Sequence, residues 1–203
     1  MFIYLRDNKV FVEDKINYIS QEKMNEVIEY IPSLGIRKWQ DDDIRMLLKI
    51  LYYCALRPSE GIYIKKESFN LKDREIYLGK TKTKKNDVAP IPKIFINELA
   101  EYLGTKETGR LFDKLTYNTF YRWLKKMGFM LDIEAWQILE KDSGEKTVGH
   151  IFRKSVGKDM LSGIYGEKAK EIPIISKHLR HAKPSMTVDY YLKSSVEAVK
   201  EAW

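Results

Sequence analysis

Ile44-Arg45-Met46-Leu47-Leu48-Lys49-Ile50-Leu51-Tyr52-Tyr53-Cys54-Ala55-Leu56-Arg57-Pro58-Ser59-Glu60 changes character near its end, and that change organises everything around it. Ile44, Leu47, Leu48, Leu51, Tyr52 and Ala55 recur at the spacing of one helical face, which must bury itself against other helices. Asp41-Asp42-Asp43 stands just before the stripe, and negative charge suits a helix N-terminus. The helix must end near Arg57, because Pro58 disfavours helical geometry in the residue before it. Pro58 then fits the first turn of a second, short helix. Arg57 therefore sits at a sharp break. It either hydrogen-bonds the last helical carbonyls, or projects its guanidinium away from the core with Glu60, three residues on, to orient it.

On the N-terminal side, residues 1–19 read as an arm or linker with two short strand-like runs, Phe2-Ile3-Tyr4-Leu5 and Lys9-Val10-Phe11-Val12. From Ser20, a suitable N-cap, Met24, Val27, Ile28 and Ile31 follow the helical period. On the C-terminal side, Glu75-Ile76-Tyr77-Leu78 and Val88-Ala89-Pro90-Ile91 read as two strands joined by the polar stretch from Gly79 to Asp87. Helical stripes return with Phe95, Ile96, Leu99, Tyr102 and Leu103, then with Phe120, Trp123, Leu124 and Met127. Thr147 is placed to cap a helix running through His150, Arg153, Val156 and Met160. A further helix is expected over 174–180, and a last one containing Tyr190 and Tyr191. The fold class expected is mainly α with a small antiparallel β-sheet (α+β).

The 203 residues suffice for one large domain with a full core, and 44% hydrophobic with 32% charged residues describes a soluble globular chain. No apolar run approaches the roughly 20 residues needed to span a bilayer. The first residues show no basic flank followed by an apolar core, so a cytoplasmic location without membrane attachment is expected. Cys54 is the one cysteine: it cannot form an internal disulfide, and with three histidines it cannot build a Cys/His zinc site. Core packing is its expected role. A net charge of +7 permits a polyanionic partner without requiring one.

Several residues carry chemistry only as a set. His150 and Arg153 are three apart, hence neighbours on a helical face. Lys80-Thr81-Lys82-Thr83-Lys84-Lys85 is either a solvated turn or a basic hairpin able to enter a DNA groove. Tyr190 is one of 13 tyrosines.

Taken in order, these motifs resemble the catalytic domain of the tyrosine recombinases, the integrase family of site-specific DNA strand-exchange enzymes. The family's first arginine lies in a motif like Ala55-Leu56-Arg57-Pro58-Ser59-Glu60, and its lysine in a hairpin turn before a Val-Pro-like strand, as in Lys82 to Pro90. The family's His-x-x-Arg is His150-Ile151-Phe152-Arg153, and its Leu-Gly-His is here Leu179-Arg180-His181. Nine residues beyond His181 stands Tyr190, where the family has its nucleophile. The likeness runs over residues 20–203, expected to form the catalytic domain. Arg180 departs from the usual glycine, so the turn into the last helix is expected to differ. Tyr191 offers a second hydroxyl about 100° away around a helix. Lys80, Lys82 and Lys84 share one side by alternation, so motif alignment alone selects Lys82.

The resemblance implies a site-specific recombinase that cuts and rejoins double-stranded DNA through a 3′-phosphotyrosine, without metal, cofactor or ATP. Arg57 and Arg153 would hold the phosphate oxygens, Tyr190 would attack, and Lys82 would protonate the departing 5′ oxygen. His150 would take the tyrosine proton or orient a phosphate oxygen, and His181 would bond the phosphate. Lys80, Lys84, Lys85 and Arg180 would contact DNA. Val196, Val199 and Trp203 after Tyr190 either pack in their own domain or dock on a neighbouring protomer, and dimer-to-tetramer self-association on DNA is expected. The rival readings are a type IB topoisomerase, which relaxes supercoils, and a DNA-binding module on the same fold that no longer cuts.

Overall fold

Ser20 opens the first helix as expected, its hydroxyl accepting from the Lys23 N–H at 3.2 Å. The computed structural model describes residues 3–6, 9–12, 18–35, 38–80, 86–133, 136, 151–163, 169–181 and 185. Two strands, β1 (Ile3–Arg6) and β2 (Lys9–Val12), pair antiparallel. The helical body is then α1 (Gln21–Tyr30), α2 (Lys38–Tyr53), α3 (Pro58–Ile62), α4 (Ile96–Gly104), α5 (Tyr117–Met130), α6 (Ile151–Ser162) and α7 (Ile172–His178). A small sheet of β3 (Phe69–Asn70), β4 (Glu75–Lys80) and β5 (Asn86–Pro90) lies between α3 and α4 in the chain. The architecture is mainly helical with small antiparallel sheets, in agreement with the fold class expected.

The α2 stripe is buried as read: Ile44, Leu47, Leu48, Leu51 and Tyr52 are almost inaccessible, with Met46 and Ile50 beside them. Its ends differ from the expectation. The helix starts at Lys38, so the three aspartates occupy its first two turns rather than preceding it. Asp43 is used as a tie, accepting from Tyr102 Oη at 2.7 Å and Lys106 Nζ at 2.5 Å at the end of α4. At the other end α2 stops at Tyr53, ahead of the break at Pro58, and Ala55 turns the chain with a left-handed φ of 51°. Gly61 brings α3 down onto α2: a Cβ there would stand 2.7 Å from Leu51 Cδ2.

β4 and β5 pair through Glu75↔Pro90, Ile76↔Ala89, Tyr77↔Val88 and Lys80↔Asn86. A register shift falls between Tyr77 and Lys80, where Gly79 takes φ 66°. Ile76 and Ala89 face the core while Tyr77 and Val88 face outward, the alternation of a one-sided sheet. The third strand, β3, is too short to leave a sequence pattern and escaped the reading.

Leu99, Leu103, Phe120, Leu124, Met127, Trp136 and Phe152 complete one core with α1 and α2. Each such side chain contributes about 1.5–3 kcal/mol through burial. A second, smaller cluster of Ala55, Val156, Met160, Ile175 and Leu179 lies under α6 and α7. Helix α6 is buried on most sides, including Arg153, Ser155 and Asp159. Asp159 accepts from Tyr18 Oη at 2.7 Å and from Tyr52 Oη, and the Ile19 N–H donates to Ser155 Oγ at 2.9 Å. Residues 18 and 19 are thus part of the packed body, which starts ahead of Ser20.

Helix α7 begins at Ile172, with Pro173 in its first turn, two residues earlier than expected. Thr147, the helix with Tyr190 and Tyr191, and the stripe through Trp203 lie outside the described residues. Among the described residues, no helix is long and apolar enough to cross a membrane.

Candidate active site

The Ala55 carbonyl is the meeting point of the site. Its left-handed turn aims the oxygen at two guanidiniums, Arg153 Nη1 at 2.5 Å and Arg180 Nη2 at 3.3 Å. Two residues on, Arg57 is extended and leads into α3, whose Glu60 reaches back to it. Glu60 Oε2 accepts the Arg57 backbone N–H at 2.7 Å, and Oε1 accepts from Arg57 Nη1 at 2.6 Å. The second of the two sequence readings of Arg57 therefore holds: its guanidinium is oriented by Glu60, and its side chain keeps 37% exposure.

Arg153 stands on α6 with 5% exposure. Its Nη1 bonds Ala55 and its Nη2 bonds the Leu179 carbonyl, leaving three of five N–H donors. Burial, then the neighbouring cations Arg180 and Arg57, lowers its pKa to about 9, and it stays charged at neutral pH. The mutual influence of Arg57, Arg153 and Arg180 is the signature of convergence from three elements separated widely in the chain.

Helix α7 ends in a Schellman turn. The Arg180 N–H donates to Lys177 O at 3.1 Å and the His181 N–H to Ser176 O at 3.0 Å, with Arg180 at φ 53°. Arg180 adopts the left-handed conformation that a glycine supplies without strain; the last helix, into which this turn was expected to differ, lies outside the described residues. The expected role of Arg180 as a DNA contact is at odds with its placement. The side chain is 4% exposed and turns inward, Nη2 to Glu60 Oε2 at 2.7 Å and Nη1 to Asp87 Oδ2 at 2.9 Å. Burial pushes Glu60 up, but Arg180 and Arg57 outweigh it and hold its carboxyl below the usual range.

His181 follows the turn, partly buried. Lys82, His150, Tyr190, Lys84 and Lys85 lie outside the described residues, as does the side chain of Lys80, which ends β4. Two participants were missed. Asp87 gave no signal, since its partner is 93 residues away. His178 is buried and donates from Nε2 to Tyr53 O at 3.1 Å, and burial lowers its pKa to about 4. Its spacing with Ile175 and Leu179, one face of α7, could have found it. Among the described residues, no group of three His, Cys, Asp or Glu side chains is arranged to hold a metal ion.

Three guanidiniums against two carboxylates leave the corner net positive, with planar donors suited to a tetrahedral oxyanion. A model of the Phage integrase family matches residues 17–197. The chain belongs to the phage integrase family. Tyrosine recombinase XerA of Pyrococcus furiosus is 28% identical over 194 residues, covering 91% of this chain and 59% of that protein. XerA of Thermococcus kodakarensis is 26% identical over the same share of this chain and 60% of its own. This integrase chain thus spans about three fifths of the length of these curated relatives. Among solved structures, the catalytic domain of bacteriophage HP1 integrase superposes with a TM-score of 0.59 at 19% identity, over 90% of this chain and 95% of that one. XerH site-specific recombinase, bound to a palindromic difH substrate, reaches 0.65 at 17% identity, over 93% and 53%. The fold is that of tyrosine recombinase catalytic domains.

Proposed function

We propose that this integrase-family chain is a site-specific recombinase that cleaves and rejoins double-stranded DNA through a 3′-phosphotyrosine. The observation that carries the reading is the convergence of Arg57 and Arg153 at the Ala55 corner. XerH, a structural neighbour, is bound to its difH substrate. A phosphodiester repels nucleophiles through its negative charge. Arg57 and Arg153 each offer a guanidinium fork to its non-bridging oxygens and stabilise the charge added in the pentavalent transition state. The Tyr190 oxygen forms the new bond to phosphorus as the bond to the 5′ oxygen breaks. The phenol suits both steps, because with a pKa near 10 it is also an acceptable leaving group when a 5′-hydroxyl reverses the reaction. Lys82 gives its proton to the departing 5′ oxygen, His150 takes the tyrosine proton or orients an oxygen, and His181 donates to the phosphate. The chemistry uses neither metal nor ATP.

Residues 20–203 act as the catalytic domain and residues 1–19 as an arm or linker, whose Tyr18 and Ile19 bond to α6. Lys80, Lys84 and Lys85 contact DNA phosphates, so binding weakens steeply with salt. The protein works on DNA in the cytoplasm and assembles there as a dimer to tetramer.

Nicked suicide duplexes with a randomised core, incubated with the protein and recovered as detergent-resistant adducts, test this. Wild type is expected to form adducts in EDTA, and Tyr190→Phe to form none while still binding DNA. Cleavage lost in EDTA and restored by magnesium rules the mechanism out. Adducts that persist in Tyr190→Phe but vanish in Tyr191→Phe move the nucleophile to Tyr191. Relaxation of supercoiled plasmid with no strand transfer between selected sites would favour a topoisomerase, and binding without any adduct a non-cleaving module.

A further inference from the structure

Arg180 has a backbone that suits glycine and a side chain that glycine could not replace. Its left-handed φ of 53° is strained for a residue with a Cβ, and its guanidinium is nonetheless committed to three chain segments. Nη2 holds Glu60 on α3 at 2.7 Å and the Ala55 carbonyl at 3.3 Å, and Nη1 holds Asp87 on β5 at 2.9 Å. Asp87 adjoins Asn86, whose pairing with Lys80 closes the base of the connection through residues 81–85. Lys82 lies five residues before Asp87, a reach of at most about 18 Å of extended chain.

We infer that Arg180 is a positioning residue that locks β5 to the Arg57–Glu60 corner, a tie on which proton delivery by Lys82 depends. The inference rests on the reading of Lys82 as general acid. One carboxylate, Glu60, orients Arg57 and receives Arg180, so Arg57 and strand β5, which follows Lys82 in the chain, share a reference point. A planar fork is needed to span Glu60 and Asp87 together, which a lysine cannot do. The Arg180 Nε is buried without a hydrogen-bond partner among the described residues. A direct bond from it to phosphate is the competing role.

A bridging sulfur at the 5′ position separates the two. When the Tyr190 oxygen attacks phosphorus, the P–S bond breaks and the electron pair leaves on sulfur as a thiolate, so no proton from Lys82 is required. The probes are duplexes selected by wild-type adduct formation, made with 5′ oxygen or 5′ sulfur at the cleaved bond. Arg180→Gly, which keeps the left-handed turn, and Asp87→Asn are expected to slow attachment about 10- to 100-fold on oxygen and to come within about threefold of wild type on sulfur. Arg57→Ala is expected to be slow on both. Equal losses on both substrates, or no loss on either, overturn the inference, the first pointing to a direct phosphate contact. Should Arg180→Gly fail to fold, Asp87→Asn carries the same comparison. Failure of wild type to yield any adduct in the selection that supplies the probes overturns the phosphotyrosine reading itself, a separate outcome.

Discussion

Phe120, Leu124 and Met127 hold the helical body by burying carbon, whereas Arg153, Arg180, Glu60 and Asp87 hold the corner between α2, α3, α6 and α7 by charge and hydrogen bonds. Apolar burial is non-directional and tolerates many side-chain combinations of similar volume. Buried guanidiniums require matched acceptors, because an unpaired one carries a desolvation cost of several kcal/mol. The body therefore supplies stability. The corner supplies a defined geometry, in which Arg153 and Arg180 bond acceptors from distant parts of the chain. Arg57, beside them, keeps 37% side-chain exposure against 13% for its partner Glu60 and 4% for Arg180, and is open to a ligand from solvent.

The contrast breaks most visibly if stability and chemistry fail to separate. Phe120→Ala is expected to lower unfolding free energy by about 3–5 kcal/mol, read by denaturant melts, with the folded fraction still forming DNA adducts at the wild-type rate. Arg153→Lys is expected to do the reverse. Adduct formation falls about 100- to 1000-fold, because a lysine cannot fork, while unfolding shifts less than for Phe120→Ala. A mutant pair showing the opposite pattern would erase the distinction.

His178 sharpens it through pH. Burial lowers its pKa from 6.5 to about 4, so the unfolded chain binds its proton first as pH falls. Its contribution is complete above pH 6.5 and is lost between 6.5 and about 4, up to about 3 kcal/mol. His178→Gln, which still donates to Tyr53, is expected to flatten this part of a pH–stability curve. An unchanged slope would assign the acid sensitivity elsewhere. The smallest effect expected is Gly61→Ala, which crowds Leu51 and costs about 1–3 kcal/mol, read as a lower melting temperature.

Much of the body was readable in the chain because its determinants are local. The Ile44–Tyr52 stripe, the Ser20 cap, Pro58 at the start of α3 and the alternation in β4 and β5 all express a backbone period or a fixed dihedral over a few residues. The misplaced start of α2 shows the limit. Three aspartates suit the first turns of a helix as well as the position before it, so charge alone cannot fix the boundary. Of the site, Arg57, Arg153 and His181 were identifiable as motif members. That Arg180 turns inward was not, since its partners Glu60 and Asp87 are 120 and 93 residues away.

Residue order was enough to decide the helical class, the break at Pro58 and the family, because periodicity and spaced motifs are properties of a one-dimensional string. The carbonyl of Ala55, the inward course of Arg180 and the buried His178 were settled only when distant segments packed together. Desolvation and ion pairing depend on what surrounds a group in space, and that environment exists only in the folded chain.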